Sequence, residues 1–227
     1  MPAREISGKR LQEALDHLAV SDGDLARALR LVGRPPPRRR PPGFASLLWI
    51  IVGQQVSTAT ANAIWQRLCA VGGPPMAEGF LALSDEQLRA VGFSRAKMIY
   101  GRDLAASILA GRLDLEALAG MTDDEAIGSL TVVRGLGRWS AEVYLLFCLG
   151  RPDVLPADDL ALLSAAQKVK GLAARPTAGA LRVMAEPWRP WRSVAARLLW
   201  HYYREVRNSV KQGETTNGPT NSTKSDA

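Results

Sequence analysis

The sequence predicts an all-α protein. Three observations carry this reading. Apolar residues recur at helical spacing along most of the 227 residues. Capping signals of the Ser/Thr-x-x-Glu/Gln type stand at the start of several of these segments. No stretch shows strand alternation, and no hairpin dipeptide separates two β-rich runs.

The elements follow in order. Residues 9–32 read as two short helices, with Leu11, Leu15 and Leu18 on one face of the first and Ser21 or Asp22 capping the second. Arg34-Pro35-Pro36-Pro37-Arg38-Arg39-Arg40-Pro41-Pro42 cannot be a helix interior and reads as an extended, solvated connector whose arginines are within reach of phosphate. A helix from Phe44 ends near Gly53. Ser57 caps the next, with Ala61, Ile64, Trp65 and Leu68 as its apolar stripe. Ser84 with Gln87, and Thr122 with Glu125, form capping boxes, and Ser94 caps a helix through Ile108. Some ten helices result. The polar segment 208–227 reads as a disordered tail.

Lys and Arg total 29 against 22 Asp and Glu, a net charge of +7, which favours a polyanionic partner. A basic protein with no nucleic-acid role satisfies the same count. Cys69 and Cys148 make neither a disulfide framework nor a metal site and read as buried thiols. No run of about 18 apolar residues is present, so no membrane span is expected. The N-terminus lacks the apolar core of a signal peptide, and the cytoplasm is the simplest compartment.

The most informative stretch is Arg134-Gly135-Leu136-Gly137-Arg138-Trp139-Ser140-Ala141, a glycine turn between two helical segments, with the hairpin covering 123–148. Glycines there let backbone N–H groups approach an anion at a helix N-terminus, and phosphate is the obvious anion. A simple helix–helix joint has the same pattern. Downstream lies Val154-Leu155-Pro156-Ala157-Asp158-Asp159-Leu160.

With these two segments the chain resembles the helix-hairpin-helix DNA glycosylases of base excision repair, and within them the AlkA-type 3-methyladenine group. Supporting segments are Ile51-Val52-Gly53-Gln54-Gln55-Val56-Ser57, Gly92-Phe93-Ser94-Arg95-Ala96-Lys97 and Trp188-Arg189-Pro190-Trp191-Arg192-Ser193-Val194-Ala195. The resemblance spans Phe44 to Tyr203. It implies two helical lobes with a DNA-facing cleft, a glycosylase core over 44–207 preceded by N-terminal helices and connector over 1–43, and a monomer. The partner is double-stranded DNA containing alkylated bases. No cofactor is expected, and the four-cysteine pattern of iron–sulfur relatives is absent.

The resemblance also implies roles. Asp159 is the catalytic carboxylate, stabilising positive charge on the sugar and orienting water. Asp158 is a helix cap or a supporting group, and capping alone would explain both acids. Trp139 stands where lyase-type relatives carry a nucleophilic lysine, which makes the reaction hydrolytic. Trp139 and Trp200, with Tyr144 as a weaker candidate, wall a pocket that holds a flipped cationic base by stacking and cation–π attraction. Core packing is the competing role for each. The position four after Trp139 is Val143, where some relatives carry tyrosine. Gln55 is the wedge that fills the gap left by the flipped base. Gly135, Gly137 and the amide of Trp139 grip phosphate, directly or through a monovalent cation at the hairpin backbone as in some relatives. Arg138, Ser94 and Lys97 are further contacts or plain surface residues. Three classes compete: an alkylpurine glycosylase, which the Asp159 match favours; a non-catalytic DNA-binding module; and a helical interaction protein. A glycosylase for neutral lesions such as hypoxanthine or ethenoadenine is an alternative within the first.

Overall fold

The computed structural model describes Ile6, residues 8–73 and residues 75–216, of which 210–216 by backbone alone. Twelve α-helices and two short 3-10 turns, Ala117–Gly120 and Glu186–Trp188, make up the regular structure of the described residues, which include no strand.

The helices are α1 (Gly8–Ser21), α2 (Gly23–Val32), α3 (Phe44–Gly53), α4 (Thr58–Gly72), α5 (Ala77–Ala82), α6 (Asp85–Val91), α7 (Arg95–Leu109), α8 (Asp123–Thr131), α9 (Arg138–Phe147), α10 (Leu160–Val169), α11 (Ala178–Met184) and α12 (Arg192–Thr216). Local chemistry sets most of their starts. Asp22, Ser57, Ser84, Ser94, Thr122, Asp159 and Thr177 each accept backbone N–H bonds from the first turn of the following helix. The Ser84/Gln87 and Thr122/Glu125 boxes are both closed.

Two apolar cores lie side by side. The first draws on α3 to α9, with Leu47, Leu48, Ile51, Phe80, Leu104, Leu130 and Leu145 at its centre. The second joins Leu15, Leu18 and Leu25 of α1 and α2 to Leu162, Ala166, Trp188 and Leu199. The N-terminal helices are therefore not a unit apart, as a boundary at residue 43 implied. They complete the second lobe, packing on α12. Asp22 fastens them: its carboxylate caps α2 and accepts the Lys170 ammonium at 2.5 Å and the Trp188 indole N–H at 2.7 Å.

The proline–arginine connector is a packed strap rather than a solvated linker. The Arg40 N–H donates to the Phe147 carbonyl at 3.0 Å, its guanidinium lies 3.6 Å from the centre of the Trp49 ring, and Arg197 donates to the Pro36 carbonyl at 3.2 Å. The tail expected from residue 208 is helical through Thr216, as α12 continues, and residues 217–227 lie outside the described residues. Cys148 is buried, and burial pushes its thiol up to about 12.

Candidate active site

The glycine turn behaves as two different positions. Gly135 has a φ of +89°, and a Cβ there would fall 2.2 Å from Cγ of Tyr100. Its glycine requirement is thus met inside the protein. Gly137 has an ordinary φ of −83° and open space around its Cα. As the N-cap of α9 it offers no side chain, so the first amides of α9 are left without a side-chain acceptor.

Opposite the hairpin, the turn between α3 and α4 presents two glutamines. The Gln54 amide donates to the Gly135 carbonyl at 2.8 Å and to the Ser140 hydroxyl at 3.0 Å. Gln55 is exposed and sits at φ +57°, the single positive φ of a non-glycine residue among the described ones. A groove of about 450 Å³ runs between these elements, bordered by Gln54, Gln55, Ser94, Lys97, Arg134 and Gly137. The Lys97 ammonium donates to the Val52 carbonyl at 2.7 Å, and burial holds it below the ordinary lysine range. Arg138, a candidate phosphate contact, has a half-exposed side chain. Its Nε donates at 2.8 Å to Glu142, a buried carboxyl that burial pushes up. The hairpin carbonyls of Val133 and Gly135 already accept the Leu136 N–H and the Gln54 amide, so a monovalent cation there would have to share them.

Asp159 stands at the start of α10, at the end of a loop pinned from α12. Arg192 clamps Asp153 with two bonds of 2.9 Å, and the Ser193 hydroxyl bonds both the N–H and the carbonyl of Val154. Oδ1 of Asp159 accepts three donors: the amides of Ala161 at 2.9 Å and Leu162 at 3.0 Å, and the Trp200 indole N–H at 3.0 Å. Oδ2 accepts one, the Trp139 indole N–H at 3.0 Å. No Lys or Arg of the described residues forms an ion pair with it. Asp158 is different: it is exposed and paired with Arg182 at 2.5 Å. The cap assigned in part to Asp158 therefore belongs to Asp159.

Trp139 packs against the first core and Trp200 against the second. Phe147, which packs against both, stacks on Trp200 at 5.4 Å. The sequence reading missed Phe147, which looks like one more apolar residue in the Leu145-Leu146-Phe147 run. Tyr144 is corrected. It is fully buried, its hydroxyl accepts the Gly43 N–H at 3.0 Å, and burial pushes it up to about 12, so it is a core residue and no pocket wall. Among the described residues no group of His, Cys, Asp and Glu is placed to hold a metal.

A hairpin with uncapped amides facing a glutamine turn, and a carboxylate between two tryptophans, coincides with one family description. HhH-GPD superfamily base excision DNA repair protein matches residues 48–192. The chain belongs to the HhH-GPD superfamily. A DNA-3-methyladenine glycosylase of Schizosaccharomyces pombe is 32% identical over 197 residues, covering 84% of this chain and 86% of its own. The structure of a 3-methyladenine DNA glycosylase of that organism in complex with abasic DNA superimposes with a TM-score of 0.78 at 32% identity, covering 83% of this chain and 95% of that one. A DNA-3-methyladenine glycosidase from Bacillus halodurans does so with a TM-score of 0.74 at 30% identity, covering 90% and 93%. The all-helical, two-lobed architecture is thus the HhH-GPD fold, and the hairpin, the Gln54–Gln55 turn and Asp159 all fall inside the matched segment.

Proposed function

We propose that this HhH-GPD protein is a DNA-3-methyladenine glycosylase of base excision repair that flips an alkylated purine out of duplex DNA and hydrolyses its glycosidic bond, leaving an abasic site. The observation that carries the chemistry is Asp159. Four N–H donors hold its carboxylate, and no ion-paired cation of the described residues neutralises it. A fixed anion in a cleft stabilises the positive charge that grows on the sugar as the base departs. The C1′–N bond breaks with its electron pair leaving on the base, so a cationic 3-methyladenine or 7-methylguanine departs neutral. A water oxygen then bonds C1′, and its proton passes to the carboxylate or to solvent. Such lesions need no general acid at the base, which fits a pocket walled by Trp139, Trp200 and Phe147.

The reading is hydrolytic because position 139 carries an indole whose N–H is already committed to Asp159, so no amine stands there to form a Schiff base. Gln55 enters the duplex as the wedge, its strained backbone held in place by Gln54. The amides behind Gly137 take a DNA phosphate and position the duplex without reading its sequence. The protein acts as a monomer.

The test is incubation with methylated duplex DNA, identification of released bases by chromatography, and treatment of the product strand with alkali. Release of 3-methyladenine and 7-methylguanine, with strand cutting only after alkali, is expected. Absence of release, or efficient borohydride trapping of a protein–DNA adduct, refutes the reading.

A further inference from the structure

Asp159 is held as no simple cap needs to be. Two backbone amides already satisfy an N-cap carboxylate, yet two tryptophans also turn their N–H groups on it, at 3.0 Å each. They come from different lobes. Trp139 lies on α9, the second helix of the hairpin, and packs against the first core, whereas Trp200 lies on α12 and packs against the second. The carboxylate is thus a junction between lobes, and its geometry depends on their relative placement. A second capping aspartate gives the contrast. Asp22 also accepts an indole N–H, but it is paired with the Lys170 ammonium. Asp159 receives only neutral donors, which orient a carboxylate while leaving its negative charge uncancelled.

The two oxygens are not equivalent. Oδ1 accepts three donors and has no capacity left for substrate. Oδ2 accepts only the Trp139 N–H and keeps a free lone-pair direction. Resting on the activity proposed above, we infer that Trp139 and Trp200 are positioning residues that clamp Asp159 from the two lobes and leave Oδ2 as the oxygen that meets the sugar and the attacking water. The tryptophans then act through their N–H edges on the catalytic acid, in addition to any stacking of their faces on the base.

The experiment separates edge from face. Trp139→Phe and Trp200→Phe keep a ring and remove the N–H; Trp139→Ala and Trp200→Ala remove both. Single-turnover base release at saturating enzyme is measured on methylated duplex DNA, with binding to an abasic-site duplex as the check on folding. Each Phe variant is expected to lose about tenfold or more in rate. Its abasic-site binding should stay within about threefold, and Trp65→Phe, outside the site, should keep the parental rate. In an Asp159→Ala background the same Phe substitutions should cause no further loss. If a Phe variant does not fold, the benzothienyl analogue of tryptophan at that position, which carries sulfur in place of N–H in the same two-ring shape, gives the same readout. Parental rates in the Phe or benzothienyl variants, with loss only in the Ala variants, would mean that the faces alone matter and would overturn the clamp. A further loss in the Asp159→Ala background would do the same. An inactive parent would instead sink the proposed activity.

Discussion

A Cβ placed on Gly135 would fall 2.2 Å from Cγ of Tyr100, whereas one on Gly137 meets nothing within 4 Å. The two glycines of the hairpin therefore answer to different demands. Gly135→Ala combines a left-handed backbone with an overlap against a ring and should lower stability by about 3 kcal/mol. Gly137→Ala should fold with parental thermal stability. Its methyl group meets only an incoming phosphate, so duplex affinity should fall about tenfold, for all sequences alike. Thermal unfolding and salt-dependent DNA titration check both; undiminished binding by Gly137→Ala would remove the hairpin from the interface.

Gln54 and Gln55 should separate in the same way. Gln54→Ala strips the bonds to Gly135 and Ser140 and should destabilise the fold by about 1–2 kcal/mol. Gln55→Gly relieves a left-handed backbone and should raise stability by about 1 kcal/mol. As the loss of a wedge, the same change should slow excision from duplex DNA severalfold while leaving excision from single strands unchanged. Equal effects on both substrates would exclude the wedge.

Asp159→Asn is not a silent change of charge. With its oxygen in the Oδ1 place, its NH2 would face the Trp139 N–H, donor against donor. Flipped, it would face three donors. Base release should fall about 100-fold or more and stability by about 1–2 kcal/mol, with abasic-site binding largely kept. Asp158→Asn loses only an exposed pair with Arg182 and should cost less than about 1 kcal/mol and little rate. Single-turnover assays on the two variants side by side decide the assignment.

Asp22 gives a pH prediction. Burial pushes its carboxyl up, but the Lys170 ammonium, the Trp188 indole and the α2 amides outweigh this and hold it below its ordinary value of 3.8. A lowered folded-state value means that its contribution is fully present above the ordinary carboxylate range and is lost as pH falls through the lower value. Asp22→Ala should cost about 3 kcal/mol near neutral pH. The gap to the parent should narrow steadily in acid, which denaturant unfolding at a series of pH values would follow.

Helix starts were legible because they are local. A serine or threonine three residues before a Gln or Glu meets only its own first turn, so the boxes at Ser84 and Thr122 form wherever that turn lands. The hairpin and the Asp158-Asp159 pair were legible as a motif, because a motif is a matter of residue order. Tyr144 was misread because direction along a helix depends on packing: in α9 it turns towards Gly43, 101 residues away in sequence. Phe147 had no signal at all, since its importance comes from touching both cores.

By itself the sequence determined the helical class, the caps, the glycine turn and the family, all matters of short-range chemistry or of residue order. Only the tertiary structure decided that α1 and α2 belong to the second lobe, that the arginine strap is packed, and that Arg138 serves Glu142. It alone decided that two tryptophans from opposite lobes turn their N–H groups onto Asp159. Those contacts join residues 20 and 41 positions from the acid, and the burial of both cores, rather than any local pattern, sets the angle at which they meet.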